Sequence, residues 1–287
     1  MKLIKMVCLA LAVLSVSARA DAATLYASTA AGAAGDLYKL DPATGAVMEH
    51  VGPLNDANGT NYPITGLAFQ PGTHVLYGST GNNPVATAAL LVTINPATAL
   101  VTVVGPYNAG PVNSSGTPAT MADLDFDAAG TLYGIGSIGG PQLYSINTAT
   151  GQATVIGSTG LTSTTGGGLA ISDAGVFYGT PTASRYGTYD SGTGAYTNIT
   201  NPAKPTGGGA YGALAFSPGG ALYGLNVGSG SPPPTHLVTI DPPTGTVTPI
   251  GASLNSLDAI AWIPEPGTLS LALGSALLGL LSKRRRR

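Results

Sequence analysis

"LYKLDPATGAVMEHVG", Leu37 to Gly52, is the stretch whose reading decides the fold. Apolar residues alternate with polar ones on both sides of Asp41-Pro42-Ala43-Thr44-Gly45. A period of two is strand patterning. Asp caps a turn through its side chain, Pro presets φ, and Gly supplies the left-handed residue, so the segment reads as a β-hairpin. Four more copies follow: "LVTINPATALVTVVG" (Leu91 to Gly105), "LYSINTATGQATVIG" (Leu143 to Gly157), "YGTYDSGTGAYTNIT" (Tyr186 to Thr200) and "LVTIDPPTGTVTPIG" (Leu237 to Gly251). The second has Ala99 where Gly is expected, and the fourth has Ser191 for Pro.

Working outward, each hairpin follows a short strand of one type: "TLYAST", "VLYGST", "TLYGIG", "VFYGTP" and "ALYGLN", with tyrosines at 26, 77, 133, 178 and 223. Their spacings are 51, 56, 45 and 45 residues. A third element, "ITGLAFQP", "MADLDFDA", "GGLAISDA" or "GALAFSPG", precedes each later copy and ends at Phe69, Phe126, Ile171 or Phe216. A fifth, "LDAIAW", ends at Trp262. Four short strands per unit at this period indicate an all-β, five-bladed β-propeller over residues 23–263. The order starts on an LYG strand and ends on an LAF strand. Asp258 to Ile263 is therefore expected to pair with Thr24 to Thr29, closing the ring and removing an open edge.

Composition narrows the function. Charged residues are 8% of the chain, against 44% hydrophobic. Between Asp21 and Ile263 three cations (Lys39, Arg185, Lys204) face twelve acids, a net of −9. So few cations cannot neutralise phosphates, and nucleic acid is excluded as a partner. The one cysteine, Cys8, precedes the repeat, so the body has no disulfide, thiolate nucleophile or cysteine metal site.

The two ends speak of location. Lys2 and Lys5 precede the apolar stretch Met6 to Val16, and Ala18-Arg19-Ala20 forms an A-x-A cleavage site, with Ala20-Asp21-Ala22 as an alternative. Residues 1–22 thus read as a secretory signal peptide. At the other end stand Pro264-Glu265-Pro266, an apolar run from Leu269 to Ser282, and Lys283-Arg284-Arg285-Arg286-Arg287. As a helix, the 14 residues of that run reach ~21 Å against ~30 Å of hydrocarbon, a shortfall that snorkelling arginines and local thinning can cover. The positive-inside rule puts the arginines in the cytoplasm and the body outside.

This three-part tail resembles the PEP-CTERM sorting signal of Gram-negative bacteria, here a triplet, a transmembrane helix over 267–282 and a basic tail over 283–287. The resemblance implies an exosortase-type sorting enzyme as partner, the inner membrane as the precursor's site, and then the cell surface or matrix. It also implies company with exopolysaccharide and biofilm. The repeat body resembles secreted propellers with DP-x-TG hairpins, which implies fold rather than activity.

Candidate sites are sparse. The loops expected on the ligand face are rich in Gly, Ser, Thr, Asn and Pro, with Asp56 and Lys204 as their only charges. Such a face suits a neutral polysaccharide, with Tyr62, Tyr107, Tyr186 and Tyr211 as candidates to stack on sugar rings. Asp41, Asp190 and Asp241 sit in hairpin turns, and Asp127 and Asp173 in turns before LYG strands. A hydrolase would have to recruit Asp36, Asp56, Asp123, Asp125 or Asp258. Asp123 and Asp125 lie on one side of an expected inner strand and could hold a hard cation such as Ca²⁺, or be hydrogen-bonded in place. His50, His74 and His236 show no metal spacing, and no cofactor is otherwise expected. The sequence thus points to an exported, non-enzymatic propeller acting by interaction, with a lectin-like propeller as the alternative and a metal-dependent hydrolase or lactonase behind both.

Overall fold

The computed structural model describes residues 23–30, 32–82, 85–108, 120–136, 141–162 and 166–263. The strands in chain order are β1 (Leu25–Thr29), β2 (Asp36–Leu40), β3 (Val47–Pro53), β4 (Ile64–Phe69), β5 (Leu76–Thr80), β6 (Leu90–Ile94) and β7 (Val101–Pro106). There follow β8 (Met121–Phe126), β9 (Leu132–Gly136), β10 (Gln142–Ile146), β11 (Ala153–Ser158), β12 (Gly168–Ile171), β13 (Phe177–Thr182), β14 (Arg185–Tyr189) and β15 (Tyr196–Thr200). The last are β16 (Ala210–Phe216), β17 (Leu222–Val227), β18 (Thr235–Ile240), β19 (Val247–Ser253) and β20 (Leu257–Trp262). They form five antiparallel four-stranded sheets, the blades of a propeller. Blades two to five are contiguous in sequence, β4 to β7 through β16 to β19. Blade one is β20-β1-β2-β3, with Leu25 opposite Trp262 and Ala27 opposite Ile260. The ring is closed by the two ends of the repeat, as expected.

The hairpin turns form for the reasons read in the sequence. Asp41 Oδ1 accepts the Ala43 N–H, Asn95 Oδ1 that of Ala97, Asn147 Oδ1 that of Ala149 and Asp190 Oδ1 that of Gly192. The turn-closing residue is left-handed in every copy, including the alanine: Ala99 takes φ 58°, against 79° at Gly151. Each turn packs on the outer strand of the preceding blade. A Cβ on Gly151 would lie 2.4 Å from the carbonyl oxygen of Gly105, whereas Gly52, facing Ala99, leaves 3.7 Å to the alanine methyl.

Between blades the core is aromatic. The LYG tyrosine of one blade meets an aromatic ring of the next, edge to face. Tyr26–Phe69, Tyr77–Phe126, Tyr178–Phe216 and Tyr223–Trp262 have centroids 5.0–5.8 Å apart at 61–62°. In the remaining seam Ile171 holds the expected position, and Phe177 supplies the ring instead, 4.8 Å from Tyr133. Such pairs contribute about 0.5–1.5 kcal/mol each beyond the area they bury. Five in a ring hold the blades in fixed rotation and so fix the geometry of the centre.

Candidate functional site

The inner strands β4, β8, β12, β16 and β20 approach so closely that small residues are required among them. A Cβ on Gly66 would lie 2.7 Å from Asp123 Cα, and one on Gly168 2.7 Å from Leu214 Cγ. Asp123, fully buried, sits in this packing. Its Oδ2 accepts the N–H of Leu169 on β12 at 2.9 Å and of Leu214 on β16 at 3.2 Å, and its Oδ1 accepts that of Leu124. Asp125, on the same side of β8 as the alternation required, takes the N–H of Ile171 at 2.7 Å and of Phe126 at 2.8 Å. The two carboxyl groups thus bind the inner strand of blade three to those of blades four and five. They satisfy strand N–H groups that no neighbouring strand of the same blade can reach.

Burial pushes the Asp123 carboxyl well above the usual carboxylate range, opposed by its three N–H donors. Burial likewise pushes Asp125 up to about 7, against the pull of Ile171 and Phe126. The oxygens a Ca²⁺ ion would ligate are those the strands already occupy, and neither aspartate lines the basin above. Among the described residues no three His, Cys, Asp or Glu side chains cluster as a metal site.

That basin, a hollow of about 540 Å³, opens at the centre of the face carrying the loops that enter the inner strands. Thr65, Met121, Ala122, Gly167, Ala210 and Asp258 contribute to its wall. Asp258 is its one carboxylate among the described residues. Residues 83–84, 109–119 and 163–165, part of the expected ligand face, lie outside the described residues.

The four tyrosines expected to stack on sugars do not face solvent. Tyr62 is 5% exposed, and Tyr107, Tyr186 and Tyr211 are fully buried. Three of their hydroxyls serve the scaffold: Tyr186 donates to the Pro242 carbonyl in the neighbouring blade, Tyr211 to that of Ala203, and Tyr62 to Asp56. The reason is general. A tyrosine beside a Gly-rich loop gains more from filling the space between two blades than from lying on a wet surface.

A second hollow, of about 560 Å³, was not foreseen from the sequence. It lies where blade five meets blade one, and Asp36, Tyr38, Ser253 and Asn255 are among its walls. Tyr38 and His50 face each other across the first hairpin, their rings stacked at 4.8 Å, and His50 Nε2 lies 2.8 Å from Asp36 Oδ1. A bulge between Lys39 and Leu40 shifts the register by one residue and so sets Tyr38 opposite His50, and the third wall, from β19, needed the closed ring. His236 lies within β18, opposite Asn226, and His74 in the turn before β5.

The sorting and export residues are outside the described residues: Ala18 and Ala20 at one end, and Pro264, Glu265, Pro266, Lys283, Arg284, Arg285, Arg286 and Arg287 at the other. Among the described residues no helix is long and apolar enough to cross a membrane.

With this geometry in hand, relatives can be placed. A family model described as a repeat of unknown function (DUF6923) matches residues 55–232, more than half of the chain, and the chain belongs to that family. No curated protein matches it. Among solved structures, a chain of the nidogen/laminin complex aligns over 84% of this chain and 98% of its own, with a TM-score of 0.51 and 13% identity. TolB from Acinetobacter baumannii aligns over 81% of this chain at 16% identity and a TM-score of 0.44. This chain spans about half, 52%, of TolB's length. A protein of unknown function from Bacteroides caccae aligns over 84% of this chain and 99% of its own, at 11% identity and a TM-score of 0.46. Identities this low speak of fold alone.

Proposed function

We propose that this member of the DUF6923 repeat family is an exported propeller, sorted by an exosortase-type enzyme to the cell envelope or extracellular matrix. There it acts by interaction rather than catalysis, in the company of exopolysaccharide or biofilm. The observation that carries the reading is the order along the chain. A positive n-region, an apolar run and an A-x-A site come first, then a closed five-bladed body, then Pro-Glu-Pro, a second apolar run and five cations. An address at each end of a propeller fits a protein whose work is to be placed. The non-catalytic part of the reading is supported by the basin wall, mostly small and neutral, and by the use of Asp123 and Asp125 as strand braces.

The test is the intact mass of the protein from its native host, fractionated into inner membrane, surface and medium. A species that starts near Asp21 and ends near Pro266, found outside the inner membrane, is the expected result. An uncut species ending at Arg287 and confined to the inner membrane would sink the sorting proposal and leave a plain anchor.

A further inference from the structure

We infer that the hollow between blades five and one is a binding site for a neutral saccharide unit. It deepens the reading above by giving the displayed body a ligand, though its evidence is independent of how the ends are processed. The volume, about 560 Å³, lies within the roughly 300–1,000 Å³ typical of small-molecule sites. What distinguishes it is polar groups left without protein partners on one wall system. Asp36 Oδ1 is held by His50, while Oδ2 has no hydrogen bond among the described residues. The Tyr38 hydroxyl and the Asn255 amide likewise have none. Ser253 Oγ is shut off from solvent and unpartnered. The Asp36, Tyr38 and Asn255 groups stand partly or fully exposed in the wall, where the hydroxyls of a ligand can reach them, whereas Ser253 Oγ only backs that wall.

The surrounding frame is fixed. The Thr29 hydroxyl donates to the Ala34 carbonyl and accepts the Asp36 N–H. Ser256, left-handed at φ 64°, donates its N–H to the Pro233 carbonyl and accepts that of Ala30, tying both blades together. The chemistry selects the ligand class. A carboxylate oxygen accepts from hydroxyls, an amide both donates and accepts, and a serine or tyrosine hydroxyl does either. A sugar presents such hydroxyls around an apolar C–H face, which an aromatic ring such as that of Tyr38 can cover. An anion is disfavoured by Asp36 and by a body with a net charge of −9.

The test uses the full chain on an array of neutral gluco-, galacto- and manno-oligosaccharides, then titration calorimetry with the best retained. Binding is expected, weakened about tenfold by Asp36→Asn and by Asn255→Ala, each the loss of one well-placed polar contact, with the melting temperature unchanged. Val155→Thr, on the outer edge of blade three, leaves binding as it was. Retention of no neutral oligosaccharide, or binding unaffected by the Asp36→Asn/Asn255→Ala pair, overturns the assignment. Retention of anionic glycans alone overturns the ligand class. A protein that is cut and displayed but silent on the array refutes the site and spares the sorting proposal. One that binds but remains uncut does the reverse.

Discussion

Replacing Gly151 by alanine tests how the blades are packed. The residue is left-handed, φ 79°, and a Cβ there would sit 2.4 Å from Gly105 O and 2.7 Å from Gly105 C. Two effects add. An L-residue in the left-handed region costs about 1–2 kcal/mol. Forcing a methyl against backbone of the adjoining blade, which cannot rotate away as a side chain can, costs about 1–3 kcal/mol more. A stiffer unfolded chain returns about 0.4–1 kcal/mol. The net loss is about 1–5 kcal/mol, which at about 2–4 °C per kcal/mol for a body of this size is a fall in melting temperature of about 2–20 °C. Ala99→Gly is the mirror experiment. It relieves about 1–2 kcal/mol of left-handed strain, yet gives up a buried methyl worth about 0.8 kcal/mol and frees the unfolded chain, so it lands near zero. Scanning calorimetry of the full chain and both variants reads the result. A Gly151→Ala protein that melts within about 1 °C of the parent would refute the claim that turn and outer strand meet backbone to backbone.

Other outcomes follow from the same contacts. Trp262 stacks edge to face on Tyr223 and its indole N–H is buried without a partner, so Trp262→Phe should change stability by less than about 1 kcal/mol in urea unfolding. Trp262→Ala should cost about 3–5 kcal/mol, and equal losses for the two would contradict the packing role. Asp123→Ala strands the N–H groups of Leu169 and Leu214 in the core, at about 1–3 kcal/mol each; an unchanged denaturation midpoint would remove it as a brace. For Asp125 the folded group titrates near 7 and the unfolded one near 3.8, so the native state holds the extra proton between them. Stability is therefore full below pH ~4, falls as pH rises toward ~7, and levels off above, by at most about 1.4 kcal/mol per pH unit from this group. Asp125→Asn should flatten that slope, and a parent whose stability rises through the window would show the opposite linkage.

Much of this was legible because repetition is itself information. Five hairpin turns built on the DP-x-TG theme, five LYG-type strands and five LAF-type strands are local patterns, and a count of them yields both the blade number and the pairing of the last strand with the first. A side-chain period of two put Asp123 and Asp125 on one side of β8 without further knowledge. What alternation could not supply was the neighbour on that side, since β12 and β16 lie 46 and 91 residues away in the hydrogen bonds to Leu169 and Leu214. The four tyrosines expected on the ligand face failed for the same reason: composition says the face is polar, but the gap between two blades decides whether a ring turns inward, and Tyr186 and Tyr211 lie within β14 and β16 themselves.

From the sequence alone came the class of fold and the number of its units, together with the expectation of an address at each end, because each is read from residues close together in the chain. The ring of aromatic pairs, the substitution of Phe177 for the absent ring at Ile171, and the convergence of Asp36, Tyr38, Ser253 and Asn255 were decided only by the closed structure. Each depends on which surfaces meet between blades. That is set by the packing of a complete circle rather than by the pattern of any one strand.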